Sequence, residues 1–134
     1  MVIAKELMSK GETVLIVEDD EAVVQFASEA LQMGGYKVLV ARSGREAIAA
    51  AKRETGKFDL ALIDVSLGDV SGFEIARELA AEKPGIKIII TSGYSDKKIE
   101  AREIADKGYN FLLKPFTLDS LLAGARDMIA RPAR

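Results

Sequence analysis

The chain contains no cysteine and no histidine. Without cysteine it can build no disulfide scaffold, zinc ribbon, iron–sulfur site or thiol nucleophile. Without histidine, Ser-His-Asp hydrolysis, imidazole acid–base catalysis and most transition-metal sites are excluded as well. An excess of one charge is also missing. The 19 Lys and Arg against 21 Asp and Glu leave a formal net charge of −2, whereas a dedicated nucleic-acid binder would be strongly basic. No apolar run approaches the roughly 20 residues that span a bilayer. The opening MVIAKELMSKG is too interrupted by charge for a signal peptide. These absences lead us to expect a cytoplasmic protein with no direct contact to DNA or membrane. What is present is 134 residues, 49% of them hydrophobic, which suffices for one domain with a core of its own. Residues 1–11 read as a loose N-terminal extension, with Met8 as an alternative start, and residues 132–134 as a short tail.

Five short apolar runs stand out: TVLIV at 13–17, KVLVA at 37–41, LALI at 60–63, IKIII at 86–90 and FLL at 111–113. They are continuous rather than alternating, as strands covered by helices on both faces are. Helical periodicity fills the gaps. Ala22, Val23, Phe26, Ala27, Ala30 and Leu31 form one stripe, and Phe73, Ala76, Leu79 and Ala80 another. Ser43 and Glu46 have capping-box spacing ahead of Ala47, Ile48 and Ala51. Ile99, Ile104 and Ala105 give a weaker stripe, and Leu118 to Ile129 a strong last helix with Thr117 as its N-cap. Gly34-Gly35, Gly56, Pro84-Gly85 and Gly108 supply the breaks. Five β-α repeats in strict alternation predict an α/β sheet with right-handed crossovers.

Open α/β sheets bind ligands beyond the carboxyl ends of their strands, so the residue that follows each strand carries the information. The first strand is followed by Glu18, Asp19 and Asp20, the third by Asp64, the fourth by Thr91 and Ser92, and the fifth by Lys114 and Pro115. The second, followed by Arg42, offers nothing comparable. Each residue alone has a plainer reading. Aspartates cap helices and form turns, Thr and Ser do the same, and a lysine before proline is usually solvated. Four strand ends delivering such groups to one edge argue for a site. Carboxylates without His or Cys make an oxygen-only set suited to a hard cation, Mg²⁺ before Ca²⁺. A lysine and a hydroxyl facing the same point suit a phosphoryl group, and a carboxylate beside Mg²⁺ can itself be the nucleophile that accepts one. Other phosphate-binding designs are absent, because the chain has no G-x-x-x-x-G-K-[ST] and no glycine in VEDDEAV after the first strand.

TVLIVEDD at 13–20, FDLALIDVSLGDVSG at 58–72, IIITSGY at 88–94 and FLLKPF at 111–116 together resemble the receiver domain of bacterial two-component response regulators. The likeness covers about residues 12–131. It implies a flavodoxin-like (βα)5 fold with strand order 2-1-3-4-5 and the chemotaxis-receiver pattern of a domain that stands alone. It implies Asp64 as phospho-acceptor, and Glu18, Asp19 and Asp64 with the Ser66 carbonyl as Mg²⁺ ligands. Thr91 matches the switch hydroxyl, Lys114 the lysine that pairs with the phosphoryl group, and the Lys114–Pro115 bond is expected to be cis. Phe111 stands where the family usually has a switch tyrosine or another aromatic. Gly68 replaces a common proline, and Glu18 a commoner aspartate. Implied partners are a histidine kinase or histidine phosphotransfer protein as donor, and a protein target reached through the helix 4–strand 5–helix 5 face. No conventional enzyme is implied, only Mg²⁺-dependent self-phosphorylation and autodephosphorylation. A binding module of the same fold that ignores phosphorylation, and a Mg²⁺-dependent phosphatase, are the alternatives.

Overall fold

The computed structural model describes residues 2–93 and 101–132, with the backbone alone for 101 and 102. Five strands alternate with five helices among these residues: β1 (Thr13–Val17), α1 (Glu21–Met33), β2 (Lys37–Ala41), α2 (Gly44–Arg53), β3 (Leu60–Asp64), α3 (Gly72–Glu82), β4 (Lys87–Ser92), α4 (Ala101–Asp106), β5 (Asn110–Leu113) and α5 (Leu118–Ala130). The sheet is parallel throughout and ordered β2-β1-β3-β4-β5, the flavodoxin-like topology. Ile99, part of the weak fourth stripe, lies outside the described residues.

The continuous apolar runs are explained by two cores, one on each face of the sheet. Leu15, Val17, Ala61, Ile63, Ile88 and Ile90 point to the side of α2, α3 and α4. Val14, Ile16, Leu60, Leu62 and Ile89 point to the side of α1 and α5. Alternate residues of each strand are thus buried in different layers, and polar residues of the middle strands are confined to their ends.

Local chemistry sets the helix starts. Asp20, Ser43, Ser71 and Thr117 each accept backbone N–H bonds as N-caps. Thr117 and Ser120 form a reciprocal capping box. The Ser43–Glu46 spacing gives only half of one: Ser43 Oγ takes the Glu46 N–H, but Glu46 Oε2 accepts from the N–H of Arg42 rather than Ser43. At the helix exits Gly35, Gly85 and Gly108 adopt positive φ of 91°, 93° and 81°, while Gly56 does not.

Three expectations are corrected. β4 continues through Thr91 and Ser92, which sit in the ladder opposite Leu112 and Leu113, so both hydroxyls end the strand instead of following it. In α1 the buried line is Val24, Ala27, Ala30 and Leu31, whereas Ala22 and Phe26 are exposed. Ala27, Ala30 and Leu31 of the expected stripe are buried as the periodicity predicts, and the departure is confined to Ala22 and Phe26, with Val24 buried in addition. Among the described residues, the stretch ahead of β1 does not stand clear of the domain. It includes one 3-10 turn, Lys5–Leu7, and both Ile3 and Leu7 pack on the α1–α5 core. The Ser9 N–H bonds the Gly34 carbonyl at 2.7 Å.

Candidate functional site

β1, β3, β4 and β5 end side by side, and their last residues bring the predicted groups together. Glu18 follows β1, its N–H bonded to the Ala41 carbonyl of β2 at 3.0 Å. Asp64 closes β3 and lies in register with Thr91 of β4. Lys114 follows β5 and is tied to β4 by its N–H on the Ser92 carbonyl at 2.8 Å. The Lys114–Pro115 bond is cis. Glu18, Asp64, Thr91 and Ser92 are all at most 5% exposed, an uncommon concentration of polar groups inside a sheet edge.

Ligand oxygens of Glu18, Asp19 and Asp64 lie within 4.8 Å of one another. Asp19 is exposed at the mouth while the other two are buried. Lys114 Nζ reaches between them, 2.7 Å from Glu18 Oε1 and 3.3 Å from Asp64 Oδ1. Three carboxylates therefore face one ammonium. Glu18 Oε2 accepts the N–H groups of Asp19 and Asp20 at 3.1 and 3.3 Å. Glu18 Oε1 is buried and meets Lys114 at ion-pair distance, but outside hydrogen-bond angles. Burial first, and then the neighbouring Asp64, push the Glu18 carboxyl well above the usual carboxylate range, although Lys114 opposes them. Burial disfavours the charged Lys114, yet Glu18 and Asp64 outweigh it and raise its pKa. An all-oxygen donor set, crowded negative charge and a buried oxygen without an aligned donor fit a hard divalent cation.

Asp64 is held by a single carboxylate oxygen. Its Oδ1 accepts the Ser66 N–H at 3.1 Å and also meets Lys114. Asp20 stays outside the cluster and keeps the plainer role, with its Oδ1 capping α1 at Ala22 and Val23. Phe111 sits opposite Ile90, one register step from Thr91, half-buried against the α2–α3–α4 core.

Two features escaped the sequence reading. Phe26, assigned to the core stripe, instead meets Phe116 with ring centroids 6.0 Å apart. With Ala22, Val23 and Pro115 they line a shallow, mostly apolar groove of about 350 Å³ that also reaches Lys114. Asp69, in the loop after Asp64, accepts backbone N–H groups from the start of α2. Neither has a local signature, because each depends on elements far apart in the chain.

Comparison with known proteins agrees with this geometry. Residues 14–126 match the family model of the response regulator receiver domain. The chain is 36% identical over 124 residues to the sensor kinase CckA of Brucella abortus (strain 2308), a match covering 92% of the chain and 13% of that protein. It spans half or less of the length of several other curated relatives. A putative response regulator from Chloroflexus aurantiacus superposes with a TM-score of 0.79 at 26% identity, covering 91% of this chain and all of that one. A response regulator from Burkholderia pseudomallei, solved with a phosphorylated aspartic acid, a calcium ion and citrate, superposes with a TM-score of 0.73 at 29% identity, over 85% of this chain and 66% of that one. No described helix is long and apolar enough to cross a membrane. A parallel 2-1-3-4-5 sheet, an acid cluster with one lysine at its strand ends and a family match over most of the length lead to one assignment: the chain belongs to the response regulator receiver domains of bacterial two-component systems.

Proposed function

We propose that the chain is a phosphoryl-accepting signalling switch with Asp64 as acceptor. One observation carries this reading: Asp64 ends the central strand with a single carboxylate oxygen that meets both Lys114 Nζ and the Ser66 N–H, beside two further acids. The donor is a phosphohistidine of a histidine kinase or phosphotransfer protein. An Asp64 carboxylate oxygen attacks phosphorus, the P–N bond breaks, and the imidazole leaves with the electron pair. Glu18, Asp19 and Asp64, with the Ser66 carbonyl, hold Mg²⁺, which when bound supplies charge neutralisation to the transferring phosphoryl oxygens. Lys114, already 3.3 Å from Asp64 Oδ1, pairs with the new charge, and the Thr91 hydroxyl donates a hydrogen bond to it. The B. pseudomallei relative with its phosphorylated aspartic acid and calcium ion supports the same chemistry here.

Output then passes by protein contact through the α4–β5–α5 face, with Thr91 and Phe111 as the residues that couple site to surface. Residues 94–100, which lead into α4, lie outside the described residues. Phe111 carries no hydroxyl, so its movement is driven by packing alone, without a polar group to re-pair.

Incubation with acetyl phosphate and Mg²⁺, read by intact-mass spectrometry, tests the reading. The wild-type chain is expected to gain one phosphoryl group, and Asp64→Asn none. A variant that still gains a base-labile phosphate overturns the assignment of Asp64. A wild-type chain that gains none leaves a phosphorylation-independent binding module of the same fold.

A further inference from the structure

Asp69 makes a contact that its place in a surface loop does not require. Its Oδ1 accepts the Gly44 N–H at 3.0 Å and the Val70 N–H at 2.9 Å, and its Oδ2 accepts the Arg45 N–H at 3.1 Å. The first two N–H groups of α2 are thus held by a carboxylate 25 residues away in sequence. α2 does not need Asp69 to begin. Ser43 is already its N-cap, with Oγ on the Glu46 N–H, and the Ser43 carbonyl takes the Ala47 N–H. The contact therefore has a second beneficiary, the loop itself.

That loop, residues 65–71, leaves the acceptor strand and returns to it. Its feet are closed by the Gly72 N–H on the Val65 carbonyl at 3.3 Å. Near the first foot, the Ser66 N–H holds Asp64 Oδ1. At Gly68 an added Cβ would meet nothing within 4 Å. α2 comes unusually close at this point. A Cβ on Gly44 would lie 2.7 Å from Ile75 Cδ1 and 3.1 Å from Val70 Cβ. Glycine at position 44 thus lets the start of α2 meet the loop, and a negative charge on the loop is matched to the positive end of that helix. α2 is in turn fixed to the sheet through Ala47 and Ala51, which are buried in the same core as Ile63.

We propose that Asp69 is a positioning residue for the phosphoryl site: it pins the loop after Asp64 to the N-terminus of α2, and so holds the Ser66 backbone where it orients the acceptor carboxylate and contributes to Mg²⁺ binding. The proposal rests on the reading of Glu18, Asp19 and Asp64 as a Mg²⁺ site. Partners one step removed from a metal ligand commonly set its orientation and hence the affinity.

The test compares the wild-type chain with Asp69→Ala, Asp69→Asn and Ser43→Ala. Mg²⁺ affinity is read by calorimetry, and exchange of the Ser66 and Leu67 amides by NMR in metal-free protein. Asp69→Ala is expected to weaken Mg²⁺ binding about tenfold and to speed exchange at Ser66. Asp69→Asn should recover part of the loss, because its remaining carbonyl oxygen still accepts the Gly44 N–H. Ser43→Ala removes a cap from the same helix end without touching the loop. It should lower the melting temperature and leave both readouts unchanged. Wild-type Mg²⁺ affinity in Asp69→Ala, or an equal loss in Ser43→Ala, overturns the positioning role while leaving the metal site standing. A wild type that binds no Mg²⁺ removes the site reading itself, and this proposal with it.

Discussion

Two glutamates bracket β1, and they behave in opposite ways. Glu12 precedes the strand and Glu18 follows it. Each is largely buried and each faces one cation, Arg126 at 3.0 Å and Lys114 at 2.7 Å. Burial alone would raise both carboxyls. At Glu12 that effect is overcome by Arg126, the Ser9 hydroxyl and the Lys10 N–H, and its pKa falls to about 2. At Glu18 burial dominates, Asp64 adds to it, and the pKa rises to about 7. The difference lies in the company rather than the residue. Glu12 meets Arg126, the Ser9 hydroxyl and the Lys10 N–H, whereas Glu18 shares its lysine with a second carboxylate and leaves one oxygen without an aligned donor. The lower pair is a finished structural contact that ties the N-terminal turn and α5 together. The upper cluster is unfinished in the sense that a cation would complete it.

The largest expected effect breaks the lower pair. Arg126→Met leaves Glu12 in place without its partner and should cost about 2–3 kcal/mol in urea unfolding at pH 7. The pH dependence has a definite sign. Glu12 titrates lower in the fold than its ordinary value of 4.5. It therefore contributes stability above pH 4.5 that is lost as pH falls towards 2. Glu12→Gln should flatten that part of the stability curve. An unchanged acid limb in the variant would show that the pair is solvated and that the contrast with Glu18 is false.

The next effect runs the other way. Glu18 holds its proton more tightly in the fold, so the metal-free chain loses stability as pH rises from 4.5 towards 7. Glu18→Gln removes the buried charge and should make the metal-free chain more stable than wild type by about 1–2 kcal/mol at pH 8, with the gap closing below pH 4.5. Mg²⁺ should reverse the order. At a hundred times its dissociation constant it stabilises a binding chain by about 2.7 kcal/mol, and the variant should gain much less. Thermal melts at pH 8 with and without Mg²⁺ check both halves. A variant less stable than wild type in the absence of metal would mean that the Lys114 pair outweighs the burial of Glu18.

The upper cluster was legible in the sequence, and the lower pair was not. Strand ends can be read locally, because continuous apolar runs mark buried parallel strands and the topology then carries the residue after each run to one edge. Glu18, Asp19, Asp64, Thr91 and Lys114 could be gathered in that way without knowing any contact. Glu12 and Arg126 are 114 residues apart, and no period or turn rule links them. The same holds for Asp69 with Gly44, and for Phe26 with Phe116. These contacts are fixed only when helices settle against the sheet, and Phe26 lies at the rim of the site although Ala27, Ala30 and Leu31 of the same stripe are buried.

The smallest effect separates stiffness of the chain from anchoring of the loop. Gly68 stands where the family resemblance leads one to expect proline, and glycine alone would predict a slack loop. Yet Gly68 is not among the glycines at positive φ, and a Cβ there would meet nothing within 4 Å. Gly68→Ala should therefore stabilise the chain by about 0.4–1 kcal/mol, through the unfolded state alone. If Asp69 already pins the loop, the substitution should leave Mg²⁺ affinity unchanged, since the folded loop has no freedom left to lose. If the affinity instead tightens by the same free energy, the loop was mobile in the folded protein and the anchor at α2 is weaker than its two hydrogen bonds suggest. Parallel urea titrations and Mg²⁺ calorimetry on the two proteins distinguish the outcomes.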